Sequence, residues 1–298
     1  MNALILRPWL ADAMLLLVAL LWGTSYGVAK GALAWYPVLG FLAVRFGLTF
    51  VLLLPSLRQL ARPAGRGALN AGLPLGAVLL AIFICEMFGV ALTSAANAAL
   101  LISLCVVFTP FAEWAMLKRR PEAKAVVAAL VSLAGAAMLA GNASLRFNLG
   151  DALMLAAAVL RAVNVCLIKK LTEDRPVAML TLTAVQAGVV CAGSVAVALL
   201  VSDAGLPALP RAPAFWAAAL YLVLGCTIFA FFAQNWAIRR GSPTRVSLLM
   251  GSEPVFGALF AAAWLGERLT PLAWCGAALI VGASLWATLP RRVLPAMT

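Results

Sequence analysis

Four ionisable side chains stand where such groups are rare. Arg45, Glu86, Arg161 and Glu253 each fall inside a long apolar run. A charge at the centre of a membrane helix is unfavourable by about 2.5–3.5 kcal/mol on insertion scales. Each must therefore face a bundle interior, pair with an opposite charge or touch a wet cavity. The chemistry open to them is binding and proton carriage. An arginine can hold a substrate carboxylate. Glu86 or Glu253 can pair with an arginine or carry a coupling proton, since a carboxyl group withdrawn from water holds its proton more readily. The chain has no histidine, so a carboxylate is the remaining relay. Arg161 is open to both roles, carboxylate ligand and ion-pair member.

Amides and aromatics extend the set. Asn164 follows Arg161 by three residues, so on a helix the two share a face, and that face is the expected substrate contact. Asn97, Gln186, Gln234 and Asn235 could bond an ammonium or a carboxylate, or each other between helices at about 0.6 kcal/mol. Trp22, Tyr26, Tyr221, Phe231, Phe232 and Trp236 are candidates for a cavity wall. Trp22 sits in the middle of its run, where an interfacial belt does not explain it. Tyr221, Phe231 and Phe232 read as core fillers, and Trp9 and Trp35, at run ends, as belt anchors. The expected binding residues are Trp22, Tyr26, Asn97, Arg161, Asn164 and Gln234, with Glu86, Glu253 and Arg45 as coupling groups or ion-pair members. Pro74, Pro110 and Pro254 remove backbone hydrogen bonds within runs and are read as hinges or static kinks.

Other motifs carry no chemistry. Gly23-Thr24-Ser25-Tyr26-Gly27 matches the nucleophile-elbow pattern, but that device needs a strand-to-helix turn and a histidine. The small residues there, with Gly27 and Gly31 four apart, suit close helix contact instead. Cys85, Cys105, Cys166, Cys191, Cys226 and Cys275 all lie in apolar runs without a C-x-x-C pair and read as small buried hydrophobes. Asn142-Ala143-Ser144 is a formal glycosylation acceptor of low specificity. No cofactor or metal motif is visible, and the expectation is a protein that is not an enzyme.

The elements that must position these residues follow from composition. Of 298 residues, 65% are hydrophobic and 11% charged, and mean hydropathy is +1.05. Soluble domains carry about 25% charged residues, so the chain belongs in a membrane. Its apolar runs are continuous rather than alternating, which favours helices over a β-barrel. At about 20 residues per span, the runs predict ten helices: 10–31, 35–57, 70–92, 94–117, 122–141, 149–171, 177–201, 213–238, 244–266 and 271–289. The first run is longer than a signal-peptide core and is read as a retained helix. Arg62-Pro63-Ala64-Gly65 reads as a turn, Pro121 and Pro271 as first helical residues, and Pro207, Pro210 and Pro213 as the longest loop.

The runs repeat. Asp12–Leu21 (DAMLLLVALL) is echoed by Asp151–Leu160 (DALMLAAAVL), Ala43–Gly47 by Ala184–Gly188, and Cys85–Phe88 by Ala233–Trp236, with Leu-Leu pairs at Leu100 and Leu248 in register. The expected halves are 1–144 and 145–298, five helices each. The net charge of +12 is spread over the loops rather than clustered, which argues against nucleic acid and for topology. Sixteen lysines and arginines fall on one side of the predicted membrane and four on the other, with Arg45 and Arg161 inside helices. The positive-inside rule then puts both termini in the cytoplasm. An odd number of helices per copy inverts the second copy, a build common among secondary transporters with a midplane site. A channel and a membrane enzyme acting on lipid precursors are the other classes; saturation and counterflow separate a carrier from a channel.

Leu224-Gly225-Cys226-Thr227, Gln234 to Ser242, Glu253-Pro254-Val255-Phe256, and Leu265-Gly266-Glu267-Arg268-Leu269-Thr270 resemble the EamA-type carriers of the drug/metabolite transporter superfamily. Gly276 and Gly282 of the last helix fit as well. Leu21-Trp22-Gly23-Thr24-Ser25, Arg45-Phe46 and Pro110 carry the resemblance into the first half, where Leu117-Lys118-Arg119-Arg120 departs from the later L-G-E-R. The resemblance implies an all-α inner-membrane carrier of ten transmembrane helices, two inverted five-helix repeats around a central cavity. Helices one, three, four, six, eight and nine would surround that cavity, with five and ten outside. Helix two is peripheral in this layout and commonly bears an arginine, so Arg45 is expected to be a structural ion pair. Export of amino acids, aromatic ones included, by alternating access is the implied function; nucleosides, sugars or drugs are the alternative cargo. The implied partners are a small-molecule substrate and membrane lipid, with no nucleic acid, as a monomer or weak homodimer.

Overall fold

A computed structural model describes residues 8–93, 95–140, 148–201, 205–265 and 270–288. Among them the chain is helical, with no strand. The helices are α1 (Pro8–Leu33), α2 (Val38–Leu53), α3 (Pro63–Leu92), α4 (Ala95–Ser103), α5 (Cys105–Leu117), α6 (Ala123–Ala140), α7 (Leu149–Thr172), α8 (Met179–Val201), α9 (Pro213–Val223), α10 (Ala230–Arg240), α11 (Pro243–Met250), α12 (Glu253–Leu265) and α13 (Pro271–Thr288). Among the described residues seven helical segments are long and apolar enough to cross a membrane, and shorter apolar helices lie at Ala123–Leu139 and Pro271–Ala287. In hydrocarbon every backbone N–H and C=O needs an internal partner, which leaves continuous apolar runs little choice but helix.

Several expected boundaries shift for identifiable reasons. α3 starts at Pro63, so the expected turn Arg62–Gly65 is its first turn; Pro63 suits that place because its missing N–H is not needed there. The second predicted helix ends at Leu53 and tightens into a 3₁₀ stretch, Leu54–Ala61. Pro121 lies in the coil ahead of α6, whereas Pro213 and Pro271 open helices. The fourth predicted helix is broken at Leu104 into α4 and α5, and the ninth at Gly251-Ser252 into α11 and α12. Pro254 is consequently the second residue of α12, where it interrupts no helical bond; Pro74 and Pro110 do lie inside α3 and α5. Arg7, Asn142-Ala143-Ser144, Arg146, Gly266-Glu267-Arg268 and the last helix's continuation to 289 lie outside the described residues, as does the side chain of Trp9.

Local chemistry marks the helix ends. Asn148 and Asp151 form a capping box at the start of α7: Asn148 Oδ1 accepts from the Asp151 N–H and Asp151 Oδ2 from the Asn148 N–H, each at 3.0 Å. Thr93, at the end of α3, donates to Asp151 Oδ1 at 2.5 Å. α11 is capped by Ser242 Oγ, and the buried Glu113 of α5 accepts from both the N–H and the hydroxyl of Thr244.

Packing gathers the rods into one bundle. α3 lies along α7 and α8, α2 along α8, α5 along α7 and α1 along α12. The core runs through Leu15, Val18, Phe41, Phe46, Leu75 and Leu222. α6 and α13 pack on each other most extensively of all. A Cβ on Gly276 would overlap the Gly135 carbonyl oxygen, so backbones meet there, and the small residues of α13 serve contact within this chain. Large apolar side chains such as Leu200, Val201 and Trp274 point outward, with Leu200 86% exposed, as a lipid-facing surface requires.

Asp151→Ala should cost about 1–2 kcal/mol through loss of the cap, read as a lower Tm in detergent. Asp151→Asn, which keeps an acceptor for Thr93, should lose less; equal losses would assign the effect to the negative charge at the helix start.

Candidate functional site

A cavity at the centre of the bundle is lined from α1, α2, α3, α7, α10 and α12. It brings together Trp22, Tyr26, Arg45, Glu86, Arg161, Asn164, Gln234 and Glu253 of the expected set. The remaining one, Asn97, is in α4, and its side chain lies outside the described residues. Sequence reasoning missed Ser25, Leu79, Phe83 and Met87 as lining residues.

Arg161 is the centre of the polar wall. Its Nη2 lies 3.4 Å from Glu253 Oε2, and its Nη1 3.4 Å from the Tyr26 hydroxyl. Its guanidinium carbon sits 4.8 Å from the centroid of the Trp22 ring, a cation–π contact that strengthens when desolvated. Glu253 is the first residue of α12, where the helix dipole favours a negative charge. The break between α11 and α12 thus delivers this carboxylate to the bundle centre. Glu253 Oε1 and Asn164 Oδ1 are both buried and have no hydrogen-bond partner.

Arg45 corrects an expectation. Among the described residues it makes no ion pair. Its Nε donates to Thr227 Oγ1 at 3.0 Å and its Nη2 to the Cys226 carbonyl at 3.4 Å, and Phe83 and Phe46 flank it at 5.1 and 5.4 Å. The physical reason is a π-helical stretch, Leu224–Phe229, between α9 and α10. The wider turn sends the Thr227 hydroxyl five residues back, to the Leu222 carbonyl, and leaves the Cys226 carbonyl to accept from Trp22 Nε1 at 2.9 Å as well as from Arg45. Such bulges recur at functional sites.

The aromatic assignments divide. Trp22 and Phe231 meet edge to face at 6.1 Å, and Phe231, expected as core, also lines the cavity. Tyr221 instead shares a 2.5 Å hydrogen bond with Thr24, and Trp236 stacks under Arg240. Asn235 donates to Gln186 at 3.3 Å, the interhelical alternative. The glycine expectation also shifts. A Cβ on Gly27 or Gly31 would meet nothing within 4 Å, whereas one on Gly23 would overlap the Glu253 carbonyl and lie 2.8 Å from the Gly257 nitrogen. The close approach that seats α12 on α1 is at Gly23.

At the end of the bundle holding the start of α1, polar contacts are dense. Arg245 reaches Asp12 at 2.8 Å, while Arg119 and Lys169 both reach Glu173 at 3.0 Å. Burial works against the Glu173 carboxylate, but those hydrogen bonds hold it below the usual carboxylate range.

The sequence model of the EamA-like transporter family matches residues 9–141 and again 148–289. The chain belongs to the EamA-like transporter family. It is a multi-pass membrane transporter of the drug/metabolite transporter superfamily, with a small molecule as cargo. Two uncharacterized transporters of Archaeoglobus fulgidus are similar to it. One is 27% identical over 91% of this chain and 83% of its own length, the other 28% over 86% and 89%. A solved crystal structure, 22% identical, superposes over 95% of this chain and 97% of its own with a TM-score of 0.74, which shows the fold is shared.

Gly23→Ala should cost about 1–3 kcal/mol by overpacking, because backbone atoms block the new methyl. Gly27→Ala should be neutral or stabilising. Thermal unfolding of the two variants in detergent checks the contrast.

Proposed function

We propose that this EamA-like transporter exports amino acids, aromatic or other neutral ones among them, or similar small metabolites, across the bacterial inner membrane by alternating access. The observation that carries the reading is the central cavity, where two arginines, two carboxyl groups and aromatic walls meet. An amino acid has a carboxylate, an ammonium and an apolar or aromatic body, and each finds its complement there.

The architecture we propose is ten spans in two inverted repeats, 1–144 and 145–298. The double family match supports it. So does the cavity: carried along the internal alignment, Trp22 falls opposite Arg161, Ser25 opposite Asn164, Phe83 opposite Phe231 and Glu86 opposite Gln234, and all eight line it. The helix breaks at Leu104 and Ser252 are opposite each other too, and Gly251 packs against Val106. Discontinuous helices near a midplane site are a transporter device. The bias of lysine and arginine supports cytoplasmic termini. Asp12–Arg245, Arg119–Glu173 and Glu113–Thr244 then tie the two halves at the cytoplasmic end, and their release would accompany inward opening. Export as the direction comes from the resemblance to amino-acid exporters.

Purified protein in proteoliposomes, loaded with unlabelled amino acid and given a radiolabelled panel, should show saturable counterflow of several neutral amino acids. Trp22→Ala and Arg161→Ala should each lower it at least tenfold. Absence of counterflow across the panel, with nucleosides, sugars or cationic drugs exchanging instead, would replace the cargo assignment.

A further inference from the structure

The Arg161–Glu253 pair is incompletely made. A guanidinium and a carboxylate that suit each other usually form two parallel bonds at about 2.7–2.9 Å. Here one contact of 3.4 Å joins Nη2 to Oε2. Tyr26 also reaches the Glu253 carboxylate, yet Glu253 Oε1 is left without a hydrogen-bond donor, as is Asn164 Oδ1 in the same cavity. Glu253 and Asn164 are each 6% exposed. Two buried acceptors lacking donors are uncommon in native interiors, and an ammonium, with three N–H donors and no acceptor, is the group that satisfies them.

We propose that the Arg161–Glu253 pair is the specificity element of the cavity: a zwitterion inserts between the two, its carboxylate taking Arg161 and its ammonium taking Glu253 Oε1 and Asn164 Oδ1. This rests on the amino-acid reading above and deepens it. In the empty cavity the two side chains neutralise each other. A zwitterion exchanges that one long contact for two pairs, and neither Arg161 nor Glu253 is left alone. A monocarboxylate would take Arg161 and strand Glu253, and an amine would do the reverse; a buried charge deprived of its partner is strongly unfavourable. Charge balance at this pair therefore selects against compounds carrying one charge, in a cavity whose other charged lining residues are Arg45 and Glu86.

The pair's position ties selection to passage. Arg161, Val165, Gln234 and Glu253 also line a second cavity, which continues among Cys105, Thr109, Ser247 and Met250. The pair thus belongs to the walls of both spaces, and in this proposal the ligand able to part it without stranding a charge is the one admitted.

The test is counterflow in proteoliposomes with L-phenylalanine, phenethylamine, which lacks the carboxylate, and hydrocinnamate, which lacks the ammonium. Wild-type protein should exchange phenylalanine at least tenfold faster than either analogue. Glu253→Gln should shift preference toward hydrocinnamate and Arg161→Gln toward phenethylamine, each by tenfold or more relative to phenylalanine. Exchange of all three compounds at similar rates by wild type overturns the inference and leaves the amino-acid reading standing. Loss of phenylalanine flux in monodisperse variants without a shift toward the matching analogue also overturns it, since a merely structural pair behaves that way. Where a variant does not fold, thermal stabilisation of wild type by the three compounds decides: protection by phenylalanine alone supports the insertion, and equal protection by all three removes it. Failure of every amino acid, with exchange of another metabolite, would instead remove the reading on which the inference rests.

Discussion

A guanidinium in the middle of an apolar bundle has to be held by something, and in this protein it is held twice, by different means. Arg45 is met by a hydroxyl, a carbonyl and two phenyl rings. Arg161 is met by a carboxylate, a phenol and an indole. Much of the irregularity in the surrounding helices serves these two charges. The π-helical stretch presents Cys226 and Thr227 to Arg45 and Trp22. The break before Glu253 brings a helix start, and its carboxylate, to Arg161.

Close packing holds that arrangement in place. Gly23 lets α1 approach the backbone at Glu253 and Gly257, so the carboxylate's position depends on the absence of a side chain one turn along α1 from Ala19 and next to Trp22. Gly135 and Gly276 bring α6 and α13 together in the same way, away from the cavity. Glu113 and Asp151 each secure a junction by satisfying polar groups there. In lipid, where apolar surfaces gain little by meeting one another, such close contacts and hydrogen bonds are what hold helices in register.

An EamA-like transporter has to bind cargo and then release it on the other side, so its central contacts cannot all be optimal. The long Arg161–Glu253 contact and the unsatisfied oxygens of Glu253 and Asn164 are such contacts; Ser194 Oγ in α8 is the other buried side-chain atom without a partner among the described residues. The ends of the bundle, by contrast, are tied by short ion pairs and capping bonds.

By itself the sequence determined that the protein is helical and lives in a membrane, because apolar content and run length leave no other way to satisfy the backbone. It also marked Arg45, Glu86, Arg161 and Glu253 as charges that interrupt apolar runs, though not the equally buried Glu113, and the three-residue spacing of Arg161 and Asn164 put them on one helix face. Tertiary structure decided the rest. Hydropathy could not tell that Arg45 takes a carbonyl rather than a carboxylate, because a backbone acceptor leaves no mark in side-chain composition. It could not locate the breaks at Leu104 and Gly251-Ser252, since an apolar run reads alike whether one helix or two. It pointed to Gly27 and Gly31 by spacing, where contact at Gly23 depended on which face met α12. Phe83 was legible only through its partner Phe231 in the internal alignment. Pairing between distant helices is set by side-chain shape across an interface, and no single run encodes the surface it will meet.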